Sequence, residues 1–225
     1  MSERLLRRDL IRFGALLALS SLAPESRADG LRVIQLQPLG PALGAAELDF
    51  VRRSVLAFYR VDLRTSEPRA LPPSAFYAKR QRYRAEKLLR HLADARPKEA
   101  FRALGLTTAD ISTTKEPYED WGILGLADLD GPACVVSSFR TKRRAKNRAH
   151  ARIRLGKTVV HELGHTFGLP HCPTRGCLME DAGGSVMTTD TEYDLCSLCR
   201  ERLRRAGQEL ADSGSIPWPK PDRAP

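Results

Sequence analysis

The sequence predicts a single domain of the α+β class, with a mixed, twisted sheet, and three observations lead to this prediction. First, a chain of 225 residues with 42% hydrophobic residues is long enough for one well-packed domain and too short for two. Second, several short apolar runs are separated by turn residues, which is typical of strands. Third, other segments carry apolar residues at three- and four-residue spacing, which is typical of amphipathic helices.

The amino-terminal half of the domain is predicted to contain two strands and two helices. Short apolar runs over residues 31–39 and 59–63 predict strands. Apolar residues at helical spacing predict helices over residues 45–58 and 75–92, the second with charged residues between the apolar ones. The prolines at positions 68, 72 and 73 mark a loop.

Two further strands are predicted over residues 121–127 and 133–139. Both are short apolar runs, and the turn residues between them make them a hairpin or two neighbouring strands. The second of these strands is expected at an edge of the sheet. Residues 213–225 are rich in proline and polar residues, so we expect a disordered tail after a domain that spans residues 29–212.

Residues 1–28 have the layout of an export signal. Arg7 and Arg8 precede a short apolar run, and small residues at positions 26 and 28 suit a signal peptidase. The segment RRDLIR is similar to a twin-arginine signal, which predicts export, to the periplasm in a bacterium. The alternative is that these residues form an amphipathic helix that packs on the domain and that the protein stays in the cytoplasm. No run of about 18 apolar residues occurs, so no transmembrane segment is expected.

The formal net charge is +10, and many of the basic residues lie between positions 140 and 157. Such a run could bind phosphates or anionic lipid, but basic runs are usually solvated loops or helix faces. No interleaved aromatic motif accompanies this one, so we do not expect nucleic-acid binding.

The segment HELGHTFGLPH, residues 161–171, carries the residue types of a zinc site. On a helix, His161 and His165 project from one face about one turn apart, within reach of one ion. Gly168 can adopt the positive φ that ends a helix, and Pro170 prevents its continuation, so the chain can return His171 to the same ion.

Three neutral imidazoles leave one zinc position open for a water, whose pKa such sites lower to about 7. Glu162, next to the first histidine, is then predicted to be the general base that takes the proton of that water during hydrolysis. The weaker alternative is that the histidines lie on a helix without binding a metal. The glutamate, the glycine and the third histidine all fall where this chemistry needs them, which favours the zinc site.

Four of the five cysteines follow the last of these histidines closely. Two close pairs separated by a loop are typical of a tetrahedral thiolate site, which predicts a second, structural zinc in a small carboxy-terminal lobe. Two disulfides are the alternative if the chain is exported. Because neighbours in an extended chain point to opposite sides, His171 and Cys172 can serve different ions. The four residues are Cys172, Cys177, Cys196 and Cys199; the fifth, Cys134, is predicted to be a buried small side chain.

These motifs resemble the archaemetzincin family. The resemblance is carried by HELGHTFGLPHC, by the four-residue gap to Cys177 with Leu178 and Met179 after it, and by the closing CSLC. The segments AFYAKRQRYRAEKLL, LGLTTADI and GLADLDGPACVVSSFR extend it over residues 31–204. The gap between Met179 and Cys196 is one residue shorter than the usual spacing of that family.

The resemblance implies a metzincin-like fold with an active-site helix, and the same histidine, glutamate and cysteine roles with two zinc ions per chain. It also implies that Met179 forms the methionine turn beneath the zinc ligands, with Met187 as the weaker candidate.

The function predicted from the sequence is that of a zinc metallopeptidase, and endopeptidase and aminopeptidase action both stay open. Its partner is a peptide or protein substrate, which the edge strand over residues 133–139 could pair with. We expect a monomer. The alternative is a zinc-stabilised binding module with a basic surface and little or no catalytic activity.

Overall fold

The computed structural model describes residues 30–41, 43–211 and 216–220. The predicted export signal over residues 1–28 lies outside the described residues. Within them, no helix combines the length and the apolar character needed to cross a membrane.

The described residues form a mixed α and β fold, as predicted. Its strands are β1 Val33–Leu39, β2 Asp62–Thr65, β3 Phe76–Tyr77, β4 Arg82–Arg84, β5 Arg102–Thr107, β6 Ile111–Lys115, β7 Tyr118–Ile123, β8 Gly125–Ala127 and β9 Ala133–Ser137. Its helices are α1 Ala45–Phe58, α2 Ala85–Ala95, α3 Arg148–Thr166 and α4 Ser197–Arg205.

The larger sheet has the strand order β2-β1-β5-β9-β8. The first four of these strands run parallel, and β8 pairs antiparallel with β9. Because side chains alternate across a strand, Leu104 and Leu106 face the core that contains α1 and α3, whereas Ala103 faces the core that contains α2. The sheet is therefore covered by helices on both faces, as parallel strands require.

The smaller sheet has the order β3-β4-β6-β7 and is also mixed. Its last strand, β7, ends at Ile123, and β8 of the larger sheet begins at Gly125. The apolar run predicted as one strand over residues 121–127 therefore divides between the two sheets. The predicted hairpin is confirmed for β8 and β9.

The helix predicted over residues 75–92 is wrong in its first half. Helix α2 begins at Ala85, and the preceding residues form β3 and β4, joined by a turn in which Gln81 has φ +52°. Phe76 and Tyr83 are cross-strand partners with ring centroids 5.2 Å apart. Their aromatic pairing, available only once the second sheet forms, outweighs the helical spacing of the same residues.

Two strand predictions also need correction. The strand predicted over residues 59–63 begins at Asp62, because Tyr59 ends α1 and is buried against α3, with its hydroxyl donating to the carbonyl oxygen of Val160. The strand predicted at the edge, β9, instead lies between β5 and β8. The edge of the larger sheet on this side is β8.

Part of the tail predicted to be disordered is packed on the domain. Within residues 216–220, the Trp218 side chain is buried and stacks on Phe58, with ring centroids 5.6 Å apart. Its indole N–H donates to the carbonyl oxygen of Tyr193 (2.9 Å). One large aromatic ring with a satisfied N–H is enough to hold a short polar segment on an apolar surface.

Candidate active site

Helix α3 carries the first part of the HELGHTFGLPH motif on its last turns. Asn147 caps the helix, its side chain accepting the backbone N–H of His150 (2.9 Å). Gly168, with φ +87°, follows the helix, and the N–H groups of Gly168 and Leu169 bond to the carbonyl oxygens of His165 and Gly164. This is a Schellman ending, which turns the chain back toward the helix.

The three histidines of the motif converge beside the end of α3. The ring centroids of His161, His165 and His171 are 4.7, 5.4 and 4.8 Å apart, and one nitrogen from each lies within 4.8 Å of the others. His161 and His165 are partly buried, whereas His171 is half exposed. The open side of the cluster therefore faces solvent through His171.

Hydrogen bonds fix the tautomers of the two helical histidines. The Nδ1 atoms of His161 and His165 donate to the carbonyl oxygens of Leu178 and Leu169, both at 2.7 Å. Burial, with the nearby His165, lowers the pKa of His161 to about 3, so its ring is neutral. The Nε2 atoms of the two rings then carry lone pairs and lie 3.0 Å apart. Two lone pairs this close repel unless a cation joins them, so the residues present fit a zinc ion.

Glu162 faces the same cavity as the histidines. Its side chain is buried, and burial raises its pKa to about 8. It lies against Gly125 at the start of β8, where an added Cβ would come within 2.7 Å of Oε1. The sequence offered no signal that Gly125 makes room for this carboxylate, because the contact joins residues 37 positions apart and depends on the sheet edge.

The four cysteines form a second cluster. It follows the histidines closely in the chain but shares no residue with the histidine cluster. The Sγ atoms of Cys172 and Cys196 are 3.7 Å apart, those of Cys177 and Cys199 are 3.8 Å apart, and all four lie within 4.8 Å of one another. A tetrahedral zinc with bonds of about 2.3 Å to sulfur requires a sulfur separation of about 3.8 Å. The sulfurs are unbonded to each other, so the geometry fits a metal better than disulfides.

Backbone N–H groups also point at the cysteine sulfurs. Those of Met179 and Cys196 lie 3.5 and 3.4 Å from Sγ of Cys177. The hydrogen bond between the Cys177 and Cys199 sulfurs, together with these N–H groups, lowers the pKa of Cys177 to about 5, although burial opposes the shift. Donors placed in this way stabilise thiolate, the form that binds zinc.

The two methionines after the motif differ in environment. Met179 is fully buried against α3, where a Cβ added to Gly164 would come 2.5 Å from its Sδ. Met187 is exposed, and its sulfur contacts Arg154 at the other end of the helix. Cys134 is fully buried in β9, as predicted for a small core side chain.

A cavity of about 580 Å³ connects the histidines with both sheets. Its walls come from β8, from β7 with Trp121, from α3 and from the loop that follows Met179. Thr158, Thr189 and Glu192 also line it. The sequence did not single out these three residues, because nothing in their spacing distinguishes them from other polar residues.

The basic run over residues 140–157 is partly internal, which differs from a solvated helix face. Arg154 is 0% exposed and makes two 2.7 Å contacts with the carboxylate of Asp190. Lys157 is also buried and donates to the carbonyl oxygens of Thr189 and Glu192. Arg140 is paired with Asp110 at 2.6 and 2.9 Å. Three of the basic residues therefore hold the site together and add little to the surface charge.

Comparisons with known proteins agree with this geometry. Residues 67–205 match the family model of peptidase family M54. An archaemetzincin of Haloquadratum walsbyi is 31% identical over 180 residues, which cover 76% of this chain and 99% of that relative.

Solved archaemetzincin structures share the fold. The structure from Methanopyrus kandleri has a TM-score of 0.67 at 29% identity and covers 78% of this chain and 95% of its own. The structure from Archaeoglobus fulgidus, complexed with malonate, has a TM-score of 0.64 at 25% identity and covers 76% and 99%. The fold, the site and these similarities define the class of protein as a zinc metallopeptidase. The chain belongs to peptidase family M54, the family of the archaemetzincins.

Proposed function

We propose that this chain hydrolyses peptide bonds at the His161, His165 and His171 site, with Glu162 as the general base. The single observation that carries the proposal is the convergence of three imidazoles and one buried carboxylate on one open cavity. Zinc, when bound by the three histidines, supplies Lewis acidity toward a water and toward the scissile carbonyl.

Glu162 is suited to move a proton at this site. Its carboxylate lines the cavity beside the histidines, and burial raises its pKa to about 8, which favours holding a proton once it is taken up. A nearby cation lowers the pKa of a carboxylate, so the residue starts ionised when the histidines hold their ion. Glu162 takes a proton from the attacking water and gives it to the leaving amine.

The substrate is proposed to bind as an extended strand along β8. This strand is the edge of the larger sheet, it lines the cavity, and its residue Gly125 contacts Glu162. Because edge strands offer unpaired backbone groups, a peptide added there brings one of its peptide bonds beside the glutamate. This replaces β9, the strand expected from the sequence to pair with the substrate.

The cysteine cluster is proposed to hold a second, structural zinc. Its sulfur separations are those of a tetrahedral thiolate site, and it joins the start of α4 to the segment that carries His171 and Met179. The backbone N–H of Cys172 donates to the carbonyl oxygen of Met179 (2.7 Å), which holds the two ends of that segment together. A metal here fixes the loop from which the third histidine comes.

Met179, packed under α3, is proposed to form the methionine turn.

Cleavage of a diverse peptide library by zinc-loaded protein tests the peptidase proposal. We expect cleavage that is lost by at least about a hundredfold in Glu162→Gln, because the general base is removed while the cavity keeps its shape. Glu201→Gln, an exposed carboxylate outside the cavity, is the matched control and should retain activity. Absence of cleavage across the library by fully loaded protein would contradict the proposal and favour the binding-module alternative.

A further inference from the structure

The cavity continues beyond the histidines along α3 toward the amino-terminal end of that helix. Thr158 lies four residues before Glu162, so the two side chains share one face of the helix about 6 Å apart along its axis. Thr189 and Glu192 also line the cavity, and their carbonyl oxygens accept from Lys157, the neighbour of Thr158 on α3. A substrate side chain next to the peptide bond held at Glu162 must therefore be long to reach the part of the cavity at Thr158.

Two hydroxyl groups in this part of the cavity already donate to backbone carbonyl oxygens. The hydroxyl of Thr158 donates to the carbonyl oxygen of Arg154 (2.9 Å), and that of Thr189 donates to the carbonyl oxygen of Val186 (2.6 Å). Each hydroxyl oxygen keeps a lone pair for another partner. The Glu192 side chain, in a residue only 2% exposed, makes neither a hydrogen bond nor an ion pair with another described residue. Because Glu192 lines the cavity, a donor on a bound ligand can reach this carboxyl group.

Two of the neighbouring cations, Lys157 and Arg140, are committed to other partners. The Lys157 ammonium donates to two backbone carbonyl oxygens and is outside the cavity lining, although its charge acts on Glu192. The Arg140 guanidinium binds Asp110 through two nitrogens. Arg143 lines the cavity as an exposed residue. A ligand that donates hydrogen bonds and carries positive charge would complete this end.

We propose that Glu192, with the hydroxyls of Thr158 and Thr189, forms a subsite for a lysine or arginine side chain of the peptide, next to the bond that is cleaved. An ammonium on a four-carbon stem has three donors, which match one carboxylate and two hydroxyl acceptors. The inference rests on the proposed peptidase function, because the subsite selects a substrate for the same catalytic residues.

The test compares two blocked, alanine-rich peptides that differ only in one residue, lysine or norleucine, which has the same four-carbon stem without the ammonium. Their binding is measured on zinc-loaded Glu162→Gln protein, so that binding is observed without turnover. We expect the lysine peptide to bind at least about tenfold more tightly, as for a buried charge-assisted contact. The preference should disappear when Glu192→Gln is added and persist when Glu201→Gln is added instead.

Equal or tighter binding of the norleucine peptide, or a lysine preference that survives Glu192→Gln, would overturn the subsite. Zinc content and thermal midpoint are compared among the variants, and Thr158→Val serves as a second variant should Glu192→Gln fold poorly. Turnover by the protein with Glu162 intact separates the two proposals. Lysine-selective binding without any turnover contradicts only the peptidase function, whereas turnover without a lysine preference contradicts only the subsite.

Discussion

Gly125 of β8 lies directly against the side chain of Glu162 on α3. A methyl group at position 125 would come 2.6 Å from Cγ and 2.7 Å from Oε1 of that glutamate. The absence of a side chain on the edge strand therefore gives the carboxylate its place in the cavity.

Gly125→Ala should lower kcat/KM for peptide hydrolysis by about tenfold or more, because the displaced carboxylate no longer reaches the attacking water. Zinc content should stay at the level of the unchanged protein, since position 125 contacts the glutamate and the histidines keep their carbonyl partners. Peptide kinetics and metal analysis check this. Gly30→Ala, where an added Cβ meets no atom within 4 Å, is the control, and full activity in Gly125→Ala would contradict the expectation.

Gly164→Ala should reduce the free energy of unfolding by about 1–3 kcal/mol, the usual cost of overpacking a core. The new methyl group would meet Sδ of Met179 at 2.5 Å and the Tyr59 hydroxyl at 3.3 Å. Urea unfolding measures the loss. Adding Met179→Ala should make the combined loss smaller than the sum of the two single losses, because the clash is removed; simple additivity would show that the two residues do not interact.

Metal analysis should give two zinc ions per chain in the unchanged protein. His165→Ala should lose one ion selectively, whereas Cys199→Ala should lose the other and unfold at a lower temperature, because that ion stabilises the lobe. A chelator titration followed by circular dichroism gives an independent measure of the same difference. One zinc together with two disulfides would contradict the structural zinc.

Asp190→Asn should destabilise the fold by about 3–5 kcal/mol, the cost of leaving a buried charge without its partner. The charge is that of Arg154, which is fully buried and bound to both carboxylate oxygens of Asp190. Asp62→Asn removes an ion pair with Arg64 at the surface and should cost less than about 1 kcal/mol. Similar losses in the two variants, measured by urea unfolding, would show that burial of Arg154 does not matter.

The stability of the protein should fall, relative to Glu192→Gln, as the pH rises from 5 to 7.5. Burial raises the pKa of Glu192 to about 8 in the folded chain, with Lys157 opposing the shift. A raised pKa gives a stabilising contribution that is complete below the unfolded value near 4.5 and is lost as the pH rises through the folded value. Unfolding midpoints of both proteins at pH 5, 6 and 7.5 check this, and parallel curves would refute it.

The histidine, glutamate and cysteine pattern could be predicted from the sequence because its residues lie close together in the chain, in α3, in the segment after it and at the start of α4. Helix α1 was predicted with its observed bounds, since its apolar stripe faces a single core. Residues 76–84 were mispredicted, because their helical spacing competes with pairing to strand β6, which is distant in sequence. The burial of Arg154 depends on Asp190, which pairs with it from a distant part of the chain. The place of Glu162 depends in the same way on Gly125. Local sequence patterns do not predict such contacts between distant residues.

The loop between Met179 and Thr189 is fastened at both ends to α3. Met179 packs on Gly164 near one end of the helix, and the carbonyl oxygen of Thr189 accepts from Lys157 nearly two turns earlier. Between these two points the loop lines the cavity. For protein engineering this makes the loop an exchangeable cassette: segments grafted between the two anchors would change the cavity wall while the scaffold keeps its stability.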